Sequence, residues 1–488
     1  MGLTPRKAGI ALLAGLTGVA SSFAIAASTT QTVVAPIDAL VVRATPGAIV
    51  TWMIVNVGDQ SHLLHIGLAA AIAVGLFAAT AVLGFEVARR VDFPFVGPLS
   101  TGVTAWGLTM AILADPVSAV ATAVPVALIT AAGLSSLPNA GHDPSRRRVI
   151  AYGASALAFL GASVFLGRQK TDDPGTGQNG ELSDQATELL QMAEDRSLDL
   201  ATTELPGLVT PTDEFYKVDI NSFDPTVSAD RWSLTVDGEV EESFAIVYDE
   251  LVAMPAEYRF VTLRCVGESL NGQKMDNALW TVTPIKPLLE RADPAGKCGC
   301  AMLHATDGYS VQVPMEALED SVLAWEMNGR PLPKAHGQPV RVLVPGHWGE
   351  TNVKWLDEIE LLDEEMHGYW EERGWRGTGP VNTVAKLWAE TRLEENRVEI
   401  AGHAYAGTRG VERVEVSTDD GSTWDTAELS EPLPGEDVWR QWRYVLETDG
   451  PQDVVVRAVD GEGTVQVRER SQAFPSGATG WVSRTVGE

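Results

Sequence analysis

Cysteine is scarce in this 488-residue chain, which has only Cys265, Cys298 and Cys300. Three cysteines are too few for a disulfide framework, and they cannot form a four-cysteine zinc or iron–sulfur site. A single residue separates Cys298 from Cys300, a spacing that strains a disulfide, and no set of metal-ligating residues clusters around them. We therefore expect Cys298 and Cys300 to be ordinary loop residues, which leaves Cys265 as the cysteine to consider for chemistry.

Positive charge is also scarce, with 36 Lys and Arg against 65 Asp and Glu, and only nine of the 36 are Lys. The shortage begins after residue 170: residues 1–170 carry ten basic and six acidic groups, whereas the remainder carries 26 and 59. An acidic surface of this kind repels nucleic acid, which excludes nucleic acid as a ligand of that part. Acid-rich, Lys-poor surfaces are typical of salt-adapted proteins, so a halophilic source is a hypothesis.

Charged residues are almost absent from five long apolar runs in the first 170 residues. Each run has 19 residues or more, enough to cross a hydrocarbon core of about 30 Å as a helix. The runs are the first 20 or so residues of 8–37, and then 63–85, 96–114, 117–137 and 149–167. We predict five transmembrane helices within residues 1–170. A further apolar stretch, 33–57, contains charges and a proline, and it is expected to be a loop or a re-entrant piece.

Basic residues flank the predicted helices on alternate sides, at Arg6 and Lys7, at Arg89 and Arg90, and at 146–148. The positive-inside rule makes these loops cytoplasmic, so five crossings place everything after residue 170 outside the cell membrane. The three arginines at 146–148 also fit a twin-arginine export signal, and the sequence leaves both interpretations open.

The remainder of the chain divides by composition into a linker and two further domains. Residues 171–209 are acidic and are predicted to be a solvated linker with a short helix near 182–195. Residues 210–385 combine alternating strand patterns with short helical segments, which predicts an α+β domain. Residues 386–488 contain short, evenly spaced strands separated by Asp-Gly turns, a pattern that predicts a β-sandwich.

Cys265 follows the apolar strand pattern that begins at Phe260, and Arg264 beside it is expected to favour thiolate over thiol. By itself, a cysteine in such a strand is more often a small core residue. Farther along, His336, Arg341 and Lys354 lie within a strand and its glycine-rich loops. Arg and Lys together with loop N–H groups can bind a phosphate, although a strand with solvated charges would give the same pattern.

The run from Asn328 to Gly346, followed by Val353–Leu356, resembles the molybdopterin-binding domain of the sulfite oxidase family. That family has N-G-x-x-L-P-x-x-H-G-x-P-x-R-V-x-V-P-G followed by V-K-W-L. The resemblance implies that a molybdenum cofactor is bound, with the metal held by Cys265. It also implies a set of residues that contact the pterin or its phosphate: Phe215, Tyr216, Asp307, His336, Arg341 and Lys354.

Gly410–Trp424 is similar to the most recognisable run of the family's immunoglobulin-like dimerisation domain, which implies a C-terminal immunoglobulin-like β-sandwich and a homodimer. Together the similar segments cover residues 210–480. Arg409 matches one of the arginines that hold sulfite in the family. A second arginine is expected just after the cysteine, but Gly267-Glu268-Ser269 follows there and no arginine appears. Trp325 replaces the family's active-site tyrosine. Arg264 is expected to compensate in part.

The resemblance implies a membrane-anchored oxidoreductase that converts sulfite, a small anion, to sulfate by oxygen-atom transfer. Cys265, Arg409 and Arg264 would be catalytic, and electrons would pass to an external acceptor such as a cytochrome or a small redox protein. One alternative is an S-oxide or N-oxide reductase, such as one that repairs methionine sulfoxide, because Leu263–Val266 resembles those enzymes as well. A second alternative is a non-catalytic, membrane-tethered binding module.

Overall fold

The computed structural model describes residues 4–26, 32–57, 61–91, 93, 95–135, 182–202, 204–393 and 396–487. It contains two compact units, which are described separately. The first comprises Met1–Pro174 with Asp219–Asp224, and the second comprises Gly175–Val218 with Pro225–Glu488. The predicted helix over 149–167 and the arginines at 146–148 lie outside the described residues.

The first unit is helical wherever it is described before residue 136. Its helices are α1 (Pro5–Ile25), α2 (Val34–Ala44), α3 (Gly47–Asn56), α4 (Ser61–Arg90), α5 (Val96–Leu113) and α6 (Pro116–Ser135). By length and composition α1, α4, α5 and α6 can each cross a membrane, and they coincide with the first four apolar runs. The stretch 33–57 forms α2 and α3, which meet at 105° as a broken span or a re-entrant loop.

Small residues let these helices approach closely. A Cβ atom on Gly15 of α1 would lie 2.3 Å from the carbonyl oxygen of Val74, and one on Gly84 of α4 would lie 2.0 Å from the Oγ1 of Thr101. Such contacts are typical of helices that pack within lipid, where glycine brings the backbones together. The outward faces carry large apolar side chains, with Leu99 for instance 65% exposed, as a lipid-facing surface requires.

Within the residues that the structure describes, the second unit has four short α-helices and nineteen strands. Its helices are α7 (Asp184–Arg196), α8 (Tyr248–Val252), α9 (Lys286–Ala292) and α10 (Met315–Glu319). The strands up to residue 361 are β1 (Ser233–Gly238), β2 (Phe244–Val247), β3 (Glu257–Arg264), β4 (Met275–Pro284), β5 (Cys300–Ala305), β6 (Ser310–Pro314), β7 (Val322–Met327), β8 (Arg330–Pro331), β9 (Arg341–Leu343) and β10 (Leu356–Leu361). The later strands are β11 (Val384–Ala385), β12 (Ala389–Arg392), β13 (Arg397–Tyr405), β14 (Val411–Ser417), β15 (Asp425–Thr426), β16 (Glu428–Leu429), β17 (Arg440–Glu447), β18 (Gln452–Asp460) and β19 (Val482–Val486).

Strands β1 to β10 form two sheets, one mixed and one antiparallel, which together with the short helices make an α+β domain as predicted. One sheet has the order β2-β1-β10-β5-β6, in which β1 and β10 run parallel. The other has the order β3-β4-β7-β8, with β9 paired to β7. The last pair in the β3–β4 ladder joins Arg264 to Met275, so Cys265 begins the loop where the sheet ends. Cys265 therefore directly follows a buried strand, at the start of a loop that can form a site.

Strands β11 to β19 form two antiparallel sheets, β11-β13-β17-β16 with β12 on β13, and β15-β14-β18-β19. Hydrogen bonds tie this β-rich part to β3. Tyr405 at the end of β13 donates to the carbonyl oxygen of Thr262 in β3, and the backbone N–H of Trp439 donates to the Oγ1 of the same threonine. Because Tyr405, Trp439 and Thr262 are all buried, the C-terminal sheets fix the strand that leads to Cys265.

Cys298 and Cys300 are joined in a disulfide, so the expectation that they are ordinary loop residues is wrong. Gly299 between them has a φ of +62°, a conformation that glycine adopts without strain. That turn leaves the two Cα atoms 5.3 Å apart, within the range that a disulfide spans. The spacing argument failed because it assumed an ordinary backbone at the residue in between.

His403 is a buried imidazole whose titration is expected to weaken the fold in acid. Its ring stacks on Trp439 with 3.8 Å between centroids, and burial lowers its pKa to about 3. An unfolded chain binds a proton at His403 below about pH 6.5, whereas the folded chain does not, so stability falls as the pH drops from there. We expect His403→Gln to reduce the slope of melting temperature against pH between 6.5 and 5, measured by differential scanning fluorimetry.

The exposed His367 provides the control, because His367→Gln should leave that slope unchanged. Some slope should persist in His403→Gln, since burial also lowers the pKa of His336 to about 3. A His403→Gln profile parallel to the wild-type profile would contradict the prediction.

Candidate active site

Cys265 is a free, half-buried cysteine at the start of the loop that follows β3. Its N–H donates to the carbonyl oxygen of Lys274 at 2.9 Å, which closes the loop. Burial raises the pKa of Cys265 to about 11, and the carboxylate of Glu268 adds to the effect. The expectation that Arg264 makes it a thiolate is therefore wrong for the protein alone. A metal ion would remove the proton, since a coordinating thiol is deprotonated outright.

The guanidinium of Arg264 is held by Glu268 and by the backbone. Its Nε donates to Glu268 Oε1 at 2.9 Å, and its Nη1 donates to the carbonyl oxygen of Asn382 at 2.8 Å. The guanidinium carbon lies 4.8 Å from the centre of the Trp348 ring. Arg264 is 0% exposed, yet its Nη2 has no hydrogen-bond partner among the described residues. A buried donor of this kind is suited to an acceptor atom of a bound group or of an ordered water.

Lys386 is a site residue that the sequence analysis missed. It is 0% exposed, and its Nζ binds Glu268 Oε1 and the carbonyl oxygen of Gly272. Burial lowers its pKa to about 8, while Glu268 opposes that shift. Its setting in Val-Ala-Lys-Leu-Trp was the available signal, since a lysine in a short apolar stretch is seldom a surface residue.

Arg409 donates to the same segment of backbone as Arg264, at residues 381–382. Its Nη2 donates to the carbonyl oxygen of Val381 at 2.8 Å, one residue before the carbonyl that Arg264 binds. Its Nε lies 3.1 Å from Oδ2 of Asp460, a buried carboxylate. The fold therefore brings Arg264 and Arg409 to consecutive peptide groups. Arg409 keeps about a fifth of its side chain exposed.

Phe215 and Tyr216 pack against each other, with Phe215 in contact with His336 and Tyr216 close to Cys265. Their rings stack with 5.6 Å between centroids, and Phe215 meets His336 edge-on at the same distance. The Tyr216 hydroxyl lies against Gly349, where a Cβ would come within 2.6 Å of it. Burial raises the pKa of Tyr216 well above its usual value, and the negative charge of an ionised Cys265 raises it further. Tyr216 therefore keeps its phenolic proton beside the cysteine.

His336, Arg341 and Lys354 converge at Gly337. The Nη1 of Arg341 donates to the carbonyl oxygen of His336 at 3.2 Å, and the Nζ of Lys354 donates to that of Ala335 at 3.0 Å. A Cβ on Gly337, which has a φ of +106°, would meet both Arg341 and Lys354 at 3.1 Å. Only glycine leaves room for the two cationic side chains there. His336 is 2% exposed and its pKa is lowered to about 3, so its imidazole is neutral.

The loop with Asp307 reaches the same region through Tyr309. Asp307 Oδ1 accepts from the N–H of Tyr309, and the Tyr309 hydroxyl donates to the carbonyl oxygen of Glu350 at 2.8 Å. Among the residues that the structure describes, neither carboxylate oxygen of Glu350 has a well-formed hydrogen bond. Burial raises the pKa of Glu350 to about 8, and the nearby carboxylate of Glu371 contributes. Glu350, which the sequence analysis did not single out, is thus a second unusual acid close to Cys265.

Comparison with known proteins identifies two domains in this chain. Residues 221–370 match the oxidoreductase molybdopterin binding domain, and residues 381–474 match the Mo-co oxidoreductase dimerisation domain. The chain belongs to the sulfite oxidase family. It is therefore related to molybdopterin oxidoreductases, an enzyme family whose cofactor is the molybdenum cofactor.

Among relatives in the sulfite oxidase family, mitochondrial sulfite oxidase of Rattus norvegicus is 29% identical over 296 residues, which are 50% of this chain and 54% of the relative. The chain thus spans about half the length of that protein. The NADPH nitrate reductase of Beauveria bassiana is 26% identical over 319 residues, 49% of this chain and 36% of the relative. The solved sulfane dehydrogenase SoxCD of Paracoccus pantotrophus shares the fold, with a TM-score of 0.50, 20% identity, and coverage of 65% of this chain and 96% of that one.

The residues present fit the cofactor of the sulfite oxidase family. A free thiol lies just after β3, the side chains of Arg341 and Lys354 both begin beside Gly337, and a buried N–H of Arg264 has no acceptor among the described residues. Trp325, at the position of the family's active-site tyrosine, is instead part of the main hydrophobic core and is 7% exposed. The phenol of Tyr216 lies close enough to Cys265 for the charge of the thiolate to raise its pKa.

Proposed function

We propose that this protein oxidises sulfite to sulfate, as a molybdenum-cofactor enzyme anchored in the membrane. The observation that carries the proposal is a free Cys265 next in sequence to Arg264, whose buried guanidinium has one N–H group without a partner among the described residues, in a domain that is otherwise strongly acidic. A small dianion needs such donors, and guanidinium groups suit the oxygens of an oxoanion. Sulfite and water give sulfate, two protons and two electrons.

Cys265 would hold the metal of the cofactor. Arg341 and Lys354 would bind the pterin phosphate, while the neutral His336 would contact the pterin itself. Phe215, Tyr216 and Asp307 would line the cofactor. When bound, the cofactor supplies the oxygen-atom transfer and accepts two electrons, whereas the chain supplies binding, orientation and charge. Arg264 and Arg409 would hold the sulfite oxygens.

The electrons would leave to an external acceptor, such as a cytochrome or a small redox protein, because three cysteines provide no iron–sulfur cluster within the chain. We further infer a domain order of transmembrane helices over 1–170, a linker over 171–209, a cofactor domain over 210–385 and an immunoglobulin-like dimerisation domain over 386–488. The basic loops favour an extracytoplasmic position for the last two domains. The match to a dimerisation domain supports a homodimer.

A second candidate is an S-oxide or N-oxide reductase on the same cofactor. Two departures from the family favour it: no arginine follows the metal ligand, where Gly267-Glu268-Ser269 stands, and Trp325 replaces the active-site tyrosine. Because a nitrate reductase is also among the relatives, the range of candidate substrates extends beyond sulfite. A membrane-tethered module that retains the fold without catalysis would be distinguished by a lack of molybdenum.

Sulfite-dependent reduction of ferricyanide by the detergent-solubilised chain at high salt tests the proposal, with Cys265→Ser as the control. Turnover that disappears in the variant supports an oxidase. A molybdenum-loaded protein that reduces methionine sulfoxide or an N-oxide but ignores sulfite would favour the second candidate. A protein that purifies without molybdenum under conditions that load a known sulfite oxidase would refute both.

Lys354 offers a separate test of cofactor binding. We expect Lys354→Met to lower the molybdenum content of the purified protein by about 10- to 100-fold, the factor that a hydrogen bond between charged groups carries. Inductively coupled plasma mass spectrometry measures this content. Lys297→Met is the matched control, since the Lys297 side chain is 83% exposed on the surface. Equal molybdenum in both variants would remove Lys354 from the proposed site.

A further inference from the structure

Arg264, Glu268 and Lys386 form a fully buried cluster of charges beside Cys265. Their side chains are 0%, 2% and 0% exposed. Oε1 of Glu268 accepts from both Arg264 Nε and Lys386 Nζ, and Oε2 accepts from the N–H of Lys274 at 2.9 Å. Lys386 lies close enough to Cys265 for their charges to interact. The cluster thus joins the loop after β3 to the backbone that follows β11.

The charges of this cluster do not balance. Two positive groups and one negative group leave one net positive charge out of contact with water. Every oxygen of Glu268 already has a donor, whereas Nη2 of Arg264 has no acceptor among the described residues. Without Lys386, the carboxylate of Glu268 would neutralise Arg264, and the loop would offer no net charge to an anion. Lys386 therefore restores the positive charge that Glu268 removes.

We propose that Lys386 and Glu268 are positioning residues for a small oxoanion bound at Arg264. Glu268 fixes the guanidinium through its Nε, which leaves Nη2 free to donate to an anion oxygen. Lys386 offsets the charge of Glu268, so the cluster presents one positive charge to the anion. The identity of the oxoanion as sulfite rests on the proposed function. In the family, an arginine in the loop after the cysteine supplies positive charge. Here Lys386, which follows β11 and lies more than a hundred residues later in the chain, supplies it instead.

A purely structural link between the two parts of the second unit is the competing explanation. Buried ion pairs contribute little net stability, because the loss of hydration offsets the attraction, and apolar side chains of similar volume serve as well. A structural link requires neither a net charge nor an unpaired donor. Both features are expected of a site that receives a negatively charged ligand.

The test is the binding of inorganic sulfate to the full chain in detergent, measured by isothermal titration calorimetry, together with the steady-state KM and kcat for sulfite. We expect Lys386→Met to weaken sulfate binding and raise the KM for sulfite, each by about 10- to 100-fold, with a smaller change in kcat. Lys386→Arg keeps the charge and should bind sulfate nearly as the wild type does. If Lys386→Met does not fold, Lys386→Gln removes the same charge and can still bond to the carbonyl of Gly272.

The double variant Glu268→Gln/Lys386→Met separates charge from structure. It returns the net charge to that of the wild type, and the amide oxygen that Glu268→Gln introduces can still accept from Arg264. We expect it to recover most of the sulfate affinity that Lys386→Met loses. A double variant that binds no better than Lys386→Met, or a Lys386→Met that binds sulfate as the wild type does, would overturn the proposal. If the wild type fails to oxidise sulfite while sulfate affinity follows this series, the proposed function falls and the oxoanion site stands.

Discussion

Replacement of Cys265 by serine should abolish turnover while leaving the fold largely intact. The thiol is free and half-buried, and its sulfur makes no disulfide, so the exchange of sulfur for oxygen removes no packing partner of consequence. A serine hydroxyl has a far higher pKa than a thiol and is a poor ligand for a soft metal–sulfur centre. The loss should exceed the roughly 10- to 100-fold that removal of a group supporting a metal ligand costs.

The disulfide provides the matched control for Cys265. The double variant Cys298→Ser/Cys300→Ser changes twice as many sulfur atoms, at the start of β5, and none of the described contacts links that pair to Cys265. We expect it to retain sulfite-dependent reduction of ferricyanide within about threefold of wild type, as for residues away from a reacting centre. Molybdenum content and melting temperature should be recorded for both variants. An active Cys265→Ser enzyme would refute the assignment of Cys265 as the metal ligand.

Substitution of Glu350 by glutamine should stabilise the protein, and only above about pH 5. Burial and the neighbouring Glu371 raise the pKa of Glu350 from 4.5 to about 8. The folded chain therefore keeps a proton on Glu350 that the unfolded chain releases above pH 4.5. Stability is highest below that pH and falls as the pH rises toward 8, by about 1.4 kcal/mol per unit, or roughly 3–5 kcal/mol in all. Glutamine stays neutral at every pH and removes this loss.

Differential scanning fluorimetry of the detergent-solubilised chain at pH 5 and pH 8 measures the effect. The melting temperature of Glu350→Gln should exceed that of the wild type by several degrees at pH 8, at roughly 2–4 °C per kcal/mol, and equal it at pH 5. Glu365→Gln, at an exposed position after β10, should change neither value. A variant that melts lower than wild type at pH 8 would show that Glu350 is ionised in the fold and held by a partner.

Local patterns in the sequence were enough for the apolar helices near the N-terminus, for an α+β domain with a β-rich part after it, and for the identity of the cofactor. Long uncharged runs require helices because the backbone must satisfy its own hydrogen bonds away from water, and four of them are helices. Alternation of apolar residues located β14 at Val411–Ser417. The run from Asn328 to Gly346 identified the family by resemblance. In the structure, Gly337 within this run packs closely against Arg341 and Lys354.

Only the tertiary structure decided the charges around Cys265. Arg264 adjoins the cysteine in sequence, yet its guanidinium is held by Glu268 and by the backbone at Asn382. Lys386, more than a hundred residues away, completes the cluster. The pKa values of Cys265 and Glu350 depend on burial, and burial depends on which strands pack together rather than on neighbours along the chain. Sequence patterns report local spacing, whereas electrostatics at a buried site is set by distances across the whole fold.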